Sequence, residues 1–245
     1  WLDGPLKVRE KWVDWHTALT QAHAPESNLD LIPTTPARRR LAYDELLANQ
    51  LALAIVRAQM KRVKGLPLKG DGSLRKKVLD ALPFKMTNAQ TFAIAEVDAD
   101  LASDFRMLRL LQGDVGSGKT VVALMAMLSA VEAGAQAVIM APTEILARQH
   151  FETISAMAEA ADLKPVLLTG RERGKSRQAI LEKLASGAAR MAVGTHALFQ
   201  DDVHYHDLRL AVIDEQHRFG VHQRLTLAAK GRAVDVLVKT ATPIP

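Results

Sequence analysis

The stretch Gly113-Asp114-Val115-Gly116-Ser117-Gly118-Lys119-Thr120 decides how this chain is read. It fills every fixed position of the pattern G-x-x-x-x-G-K-[ST]. An apolar run, Met107–Leu111, enters it, and an apolar helical stretch over 120–133 leaves it. Glycines let a backbone curl until several N–H groups face one anion. The following helix adds the partial positive charge of its N-terminus. Lys119 is placed to reach the β and γ phosphates of a nucleotide, and the Thr120 hydroxyl to ligate Mg²⁺. The whole stretch is therefore expected to bind the phosphates of a nucleotide with Mg²⁺, without by itself choosing between a kinase, a GTPase, a transporter ATPase and a nucleic-acid motor. A glycine-rich strand-to-helix turn without a ligand is the competing reading.

Outward from the loop the pattern alternates. Apolar runs rich in Val, Ile and Leu recur at Met107–Leu111, Ala137–Met140, Pro165–Leu168, Met191–Val193, Leu208–Ile213 and Val234–Val238. Helical stretches fall between them, over 120–133, 144–160, 172–187 and about 220–230. Unalternating apolar strands suggest burial on both faces, and strand–helix–strand repetition argues for a parallel sheet covered by helices. The fold class is thus α/β, a P-loop domain over 83–245. The run Leu208–Ile213 leads into Asp214-Glu215, which places two carboxylates at the sheet's C-terminal edge, where ligands of such sheets sit. In a P-loop ATPase the first acid holds Mg²⁺ and its neighbour activates the attacking water. An acidic helix cap is the alternative.

Composition bounds the rest. The chain has 245 residues, 48% hydrophobic and 24% charged, with 32 Lys or Arg against 27 Asp or Glu, a net +5. That excess is too mild to imply nucleic acid by itself. With no cysteine there is neither a disulfide framework nor a thiolate zinc site. No apolar run suits a membrane span, and the start at Trp1 lacks a signal-peptide pattern, so a cytoplasmic piece of a longer protein is expected. Residues 1–37 read as irregular, with a short helix near Trp12–Gln21. Residues 38–82 read as a basic helical linker, a helix over 38–64 and a second over Ser73–Ala81. Residues 38–77 hold eleven Lys or Arg against Asp44, Glu45 and Asp71. A solvated helical face and a DNA contact remain open readings of that excess.

Five stretches then follow in order: Gln112 to Thr120, Ala141-Pro-Thr-Glu-Ile-Leu-Ala147, Gly194-Thr-His-Ala-Leu198, Asp214-Glu-Gln-His-Arg-Phe-Gly220 and Thr240-Ala-Thr-Pro-Ile-Pro245. The series resembles the motifs of the first RecA-like motor domain of superfamily 2 DNA helicases, and within them the RecG type that acts on branched DNA. The Asp214-Glu-Gln-His217 stretch with Arg218-Phe-Gly-Val221 is the most specific part. The transcription-repair coupling factor is similar, but Asp-Glu-Glu-Gln would be expected there. The resemblance covers about 84–245. More weakly, Ala18 to Pro25 and Arg39 to Leu46 resemble the segment joining the DNA-binding wedge to the motor.

The resemblance implies roles at matching positions. Phe84 and Gln90 become an adenine clamp, the Gln90 amide offering one donor and one acceptor. From the residues alone, Thr87 as a cap for a helix over 88–98 is the simpler account. Thr143, Arg148, Thr169, Gly170, Thr195 and His196 would line a DNA track that grips backbone and reads little sequence. Gln216, His217, Thr240 and Thr242 would couple ATP state to DNA grip. Lys239 stands where an apolar residue is expected, a departure that bears on strand packing only. His204 and His206 read as surface loop residues. The second motor domain and the wedge of the same full-length chain would be partners, the former supplying an arginine finger. The implied activity is an ATP-dependent helicase acting on forks and junctions. The alternative is a nucleotide- and DNA-binding module without catalysis of its own.

Overall fold

The computed structural model describes residues 4–60, 64–214, 230–231 and 233–240, with only the backbone described over 52–60. The chain divides into two compact units, residues 1–59 and 60–245.

The first unit is helical. α1 spans Gly4–Arg9, within a stretch expected to be irregular. α2 spans Trp15–His23, later than expected, because Asp14 caps it: its Oδ1 accepts the Thr17 N–H at 2.9 Å. A short 3-10 turn covers Asn28–Leu31. α3 spans Pro36–Met60. Proline suits a first helical turn, where its missing N–H has no partner to lose. Of the rest of the expected helix, 61–63 lie outside the described residues, and Lys64 is not helical but bridges Phe105. Trp12 packs on Tyr43 with ring centroids 5.0 Å apart. Arg40 and Asp44 form a buried ion pair one helical turn apart at 2.9 Å.

The second unit carries a parallel six-stranded sheet. Its strands are β1 Leu108–Gln112, β2 Gln136–Met140, β3 Val166–Leu168, β4 Met191–Gly194, β5 Leu208–Asp214 and β6 Asp235–Thr240. Each lies within two residues of its expected place. Their order is β1-β6-β5-β2-β4-β3. The helices are α4 Ser73–Ala81, α5 Asn88–Leu101, α6 Lys119–Glu132, α7 Glu144–Ala158 and α8 Gly174–Ala185. The helix expected near 220–230 lies outside the described residues. α6 is buried from Val121 to Val131 and packs on β2, β5 and β6.

Side chains alternate across the sheet. Ala137, Ile139, Met191, Val193, Leu210 and Val212 join the core beneath α4, α5 and α6. Val138, Met140, Ala192, Ala211 and Ile213 join the core on the other face, with Leu184 and Phe199. The expected two-sided burial holds for β2, β4 and β5. It fails for β1, an edge strand on which Leu108 and Leu110 stay exposed. Carboxyl ends of all six parallel strands share one edge, which brings the loops of interest together.

Candidate functional site

The loop after β1 folds as its glycines require. Gly116 and Gly118 have φ of +82° and +79°, a region that side chains other than glycine's adopt only under strain. A Cβ on Gly118 would also stand 2.3 Å from Gln90 Nε2. The Ser117 N–H donates to the Asp114 carbonyl, closing the turn. Lys119 opens α6 and curls its Nζ onto the Gly113 and Asp114 carbonyls, 2.6 Å from each. An ammonium held in this cup faces the position that phosphate oxygens take in a loop of this type.

Gln90 ties a second element to the loop. Its Oε1 accepts the Thr87 N–H at 2.9 Å, and its Nε2 donates to the Ser117 carbonyl at 2.9 Å. Thr87 Oγ1 accepts the Gln90 N–H in return, so the pair is a capping box for α5. The expected cap and a contact with the phosphate loop are both present. One N–H and one lone pair of the amide are left for another partner. Phe84 is 48% exposed and lines a shallow cleft with Leu79, Leu82 and Met86.

β5 ends at Asp214, which is 5% exposed. Two groups to which motif reading gave no part in the site hold it. His150, on α7, places Nε2 at 2.5 Å from Asp214 Oδ2. Lys239, on β6, places Nζ at 3.0 Å from the same oxygen. Since a carboxylate only accepts, His150 Nε2 carries the proton. The 3.3 Å between Lys239 Nζ and His150 Nε2 is then an approach of two donors, not a hydrogen bond. Lys239 Nζ also lies 3.3 Å from Thr120 Oγ1. Lys239 thus bears on the site and not only on strand packing, which corrects the expectation for it. The register explains why: Asp214 pairs with Lys239, and Gln112 with Thr240. Burial pushes the Asp214 carboxyl up, but the His150 bond and the Lys239 charge outweigh it and hold it below the usual range.

The nucleic-acid candidates sit at the ends of β2, β3 and β4. Thr143 caps α7, its Oγ1 accepting the Leu146 N–H at 3.3 Å, and remains exposed. Arg148 is 3.4 Å from Glu172. Gly170 and His196 are exposed, whereas Thr169 and Thr195 are buried. The Thr169 N–H and hydroxyl both donate to Glu172 Oε2. Burial raises the Glu172 carboxyl, yet these bonds and Arg148 leave it lowered overall. Thr195 Oγ1 accepts the Ala197 N–H at 3.5 Å, capping the turn His196–Phe199. The two buried hydroxyls therefore shape the loops from which Gly170 and His196 face outward, while Thr143 and Arg148 stand on the cap and first turns of α7. Thr240 is buried at the end of β6. Glu215, Gln216, His217 and Thr242 lie outside the described residues. His204 and His206 are exposed.

Among the described residues, no group of three or more His, Cys, Asp or Glu is placed to hold a metal. A hydroxyl and one carboxylate, completed by phosphate and water, is instead the donor set that Mg²⁺ takes beside a nucleotide. The oxygens present fit it, since Thr120 Oγ1 and Asp214 Oδ2 already lie within reach of one cationic nitrogen.

The chain resembles known proteins in sequence and in fold. Residues 87–245 match the DEAD/DEAH box helicase family. The chain is 47% identical to the ATP-dependent DNA helicase RecG of Haemophilus influenzae over 90% of its own length and 33% of that protein's. It is 45% identical to RecG of Bacillus subtilis over 98% of its length and 35% of that protein's. A solved structure of RecG bound to a three-way DNA junction superposes with a TM-score of 0.80 at 41% identity, covering 100% of this chain and 32% of that one. The chain thus spans about a third of the length of the relatives it matches.

Proposed function

The chain belongs to the DEAD/DEAH box helicase family, and from that premise we propose that it is the ATP-binding half of a DNA helicase motor of the RecG type, acting on forks and junctions. The observation that carries the reading is the meeting of β1, β5 and β6, which brings Thr120 and Asp214 to one cationic nitrogen beside the glycine loop that Lys119 closes. Relatives named for ATP-dependent helicase activity, one of them held on a branched DNA, support it.

In this reading Gly113, Asp114, Val115, Gly116, Ser117 and Gly118 present backbone N–H groups to the phosphates. Lys119 leaves the two loop carbonyls and neutralises the β and γ oxygens. Thr120 and Asp214 hold Mg²⁺, which when bound screens the charge of the transferred phosphoryl group. His150 keeps Asp214 oriented. Glu215 serves as the base for the attacking water, and Gln216, His217, Thr240 and Thr242 relay the nucleotide state. Gln90 takes one adenine edge with its remaining donor and acceptor, and Phe84 supplies a flat apolar contact. Thr143, Arg148, Gly170 and His196 grip the DNA backbone, with Thr169 and Thr195 as positioning residues.

The second motor domain and the wedge of the longer chain complete the machine, which works in the cytoplasm on the bacterial chromosome. Among the described residues no helix is long and apolar enough to cross a membrane. Steady-state ATPase with forked DNA tests the reading on the full-length protein. Lys119→Ala is expected to abolish stimulated turnover and weaken binding of a fluorescent ATP analogue at least tenfold. Unchanged nucleotide affinity in Lys119→Ala would favour the binding-module reading with a vestigial loop.

A further inference from the structure

Lys239 is 5% exposed. A buried lysine carries a large desolvation penalty unless its ammonium is paired. Two of its partners are particular oxygens: Asp214 Oδ2 at 3.0 Å and Thr120 Oγ1 at 3.3 Å. These are the side-chain atoms assigned to Mg²⁺ under the nucleotide-site reading, on which this inference rests. The placement is built into the sheet, because β5 and β6 pair Asp214 with Lys239 in register. Register partners stand on the same face.

We infer that the Lys239 ammonium is a tethered cation holding the metal subsite of the nucleotide-free protein, and that it must withdraw before Mg²⁺ is held between Thr120 and Asp214. Space and charge both require the exchange. Mg²⁺ binds oxygens at about 2.0–2.1 Å or through its own water shell. An ammonium nitrogen within hydrogen-bonding distance of both oxygens occupies that volume. Two cations a few ångströms apart also repel strongly in a site this poorly solvated. His150 makes the exchange reversible without loss of the site. Its bond to Asp214 at 2.5 Å keeps the carboxylate aimed after the lysine leaves. The phosphates of an arriving nucleotide offer the released ammonium a new anionic partner. Metal alone is therefore a poor ligand, and metal with nucleotide is a good one.

The test is a Mn²⁺ titration followed by electron paramagnetic resonance, without nucleotide, on the full-length protein and on Lys239→Met and Lys239→Gln. Binding of a fluorescent ADP analogue in EDTA is measured alongside, and circular dichroism checks the fold. Methionine keeps the length of the stem in an apolar strand, and glutamine keeps a donor toward Asp214. Removing the charge is expected to tighten Mn²⁺ binding about tenfold or more, while ADP binding in EDTA is no tighter than in the parent protein. Mn²⁺ affinity that is unchanged, weaker or undetectable in the folded variants overturns the inference. The nucleotide-site reading falls separately, if Lys119→Ala leaves ADP binding intact. Normal ADP binding with no gain in Mn²⁺ affinity removes only the lysine's role.

Discussion

Asp235 is the residue whose burial has the plainest consequence for stability. It opens β6 at 2% exposure, and its Oδ1 accepts the Met107 N–H at 2.6 Å. Burial pushes its carboxyl up to about 7, against partial relief from that bond and from Arg209 and Arg106. A folded pKa above the unfolded 3.8 means that the folded state prefers the protonated acid. Its stabilising contribution is full below about pH 4 and is lost as pH rises through 7, at most about 4 kcal/mol. Asp235→Asn keeps an acceptor for Met107 and removes the titration. Urea unfolding between pH 4.5 and 7.5 is expected to show the variant gaining on the parent protein as pH rises; parallel curves would refute the assignment. Lys119, Thr120 and Asp214 were legible at this scale because loop chemistry needs those residue types at fixed local spacing. His150 and Lys239 were not. Their contacts span 64 residues to Asp214 and 119 to Thr120; the packing of α7 brings the first and the pairing of β6 with β5 the second.

Among the elements, the buried strands were readable because two-sided burial makes each a continuous apolar run. The exposure of Leu108 and Leu110 on β1 was not, since the same run suits an edge strand with one open face. Strand order depends on crossovers, so nothing local announces that β6 lies between β1 and β5. The ends of β3 and β4 offer a contrast between two glycines that look alike in the sequence. A Cβ on Gly194 would stand 2.0 Å from the Leu168 carbonyl oxygen of β3, whereas one on Gly170 meets only Glu144 Oε1 at 3.4 Å. Backbone cannot yield as a flexible side chain does. Gly194→Ala is therefore expected to cost roughly 3 kcal/mol, or about 6–12 °C in Tm for a domain of this size. Gly170→Ala is expected to stay within about 1 kcal/mol. Differential scanning calorimetry of the pair decides it, and equal losses would mean that β3 can shift away from β4.

For the molecule as a whole, the division of labour follows from what one parallel sheet can bring to a nucleotide. Its carboxyl edge carries the glycine loop, Thr120 and Asp214, and also the outward-facing Thr143, Arg148, Gly170 and His196. In the proposed reading the loop, Thr120 and Asp214 approach the γ phosphate from one side. A phosphoryl transition state also needs charge compensation from the opposite side, which an arginine from a neighbouring domain provides, worth about 10³–10⁵ in rate in the GTPases. This chain spans about a third of its relatives' length, so that arginine and the wedge are expected in the remainder. Binding and turnover should therefore separate. The 245-residue chain is expected to bind a fluorescent nucleotide with an affinity that Lys119→Ala abolishes, and to hydrolyse ATP at a rate indifferent to forked DNA. A chain extended through the second motor domain is expected to gain at least about 10³ in turnover, and to lose that gain when DNA is withheld. The same DNA-stimulated rate in the short chain would place every catalytic group on this one sheet edge and remove the need for a partner domain.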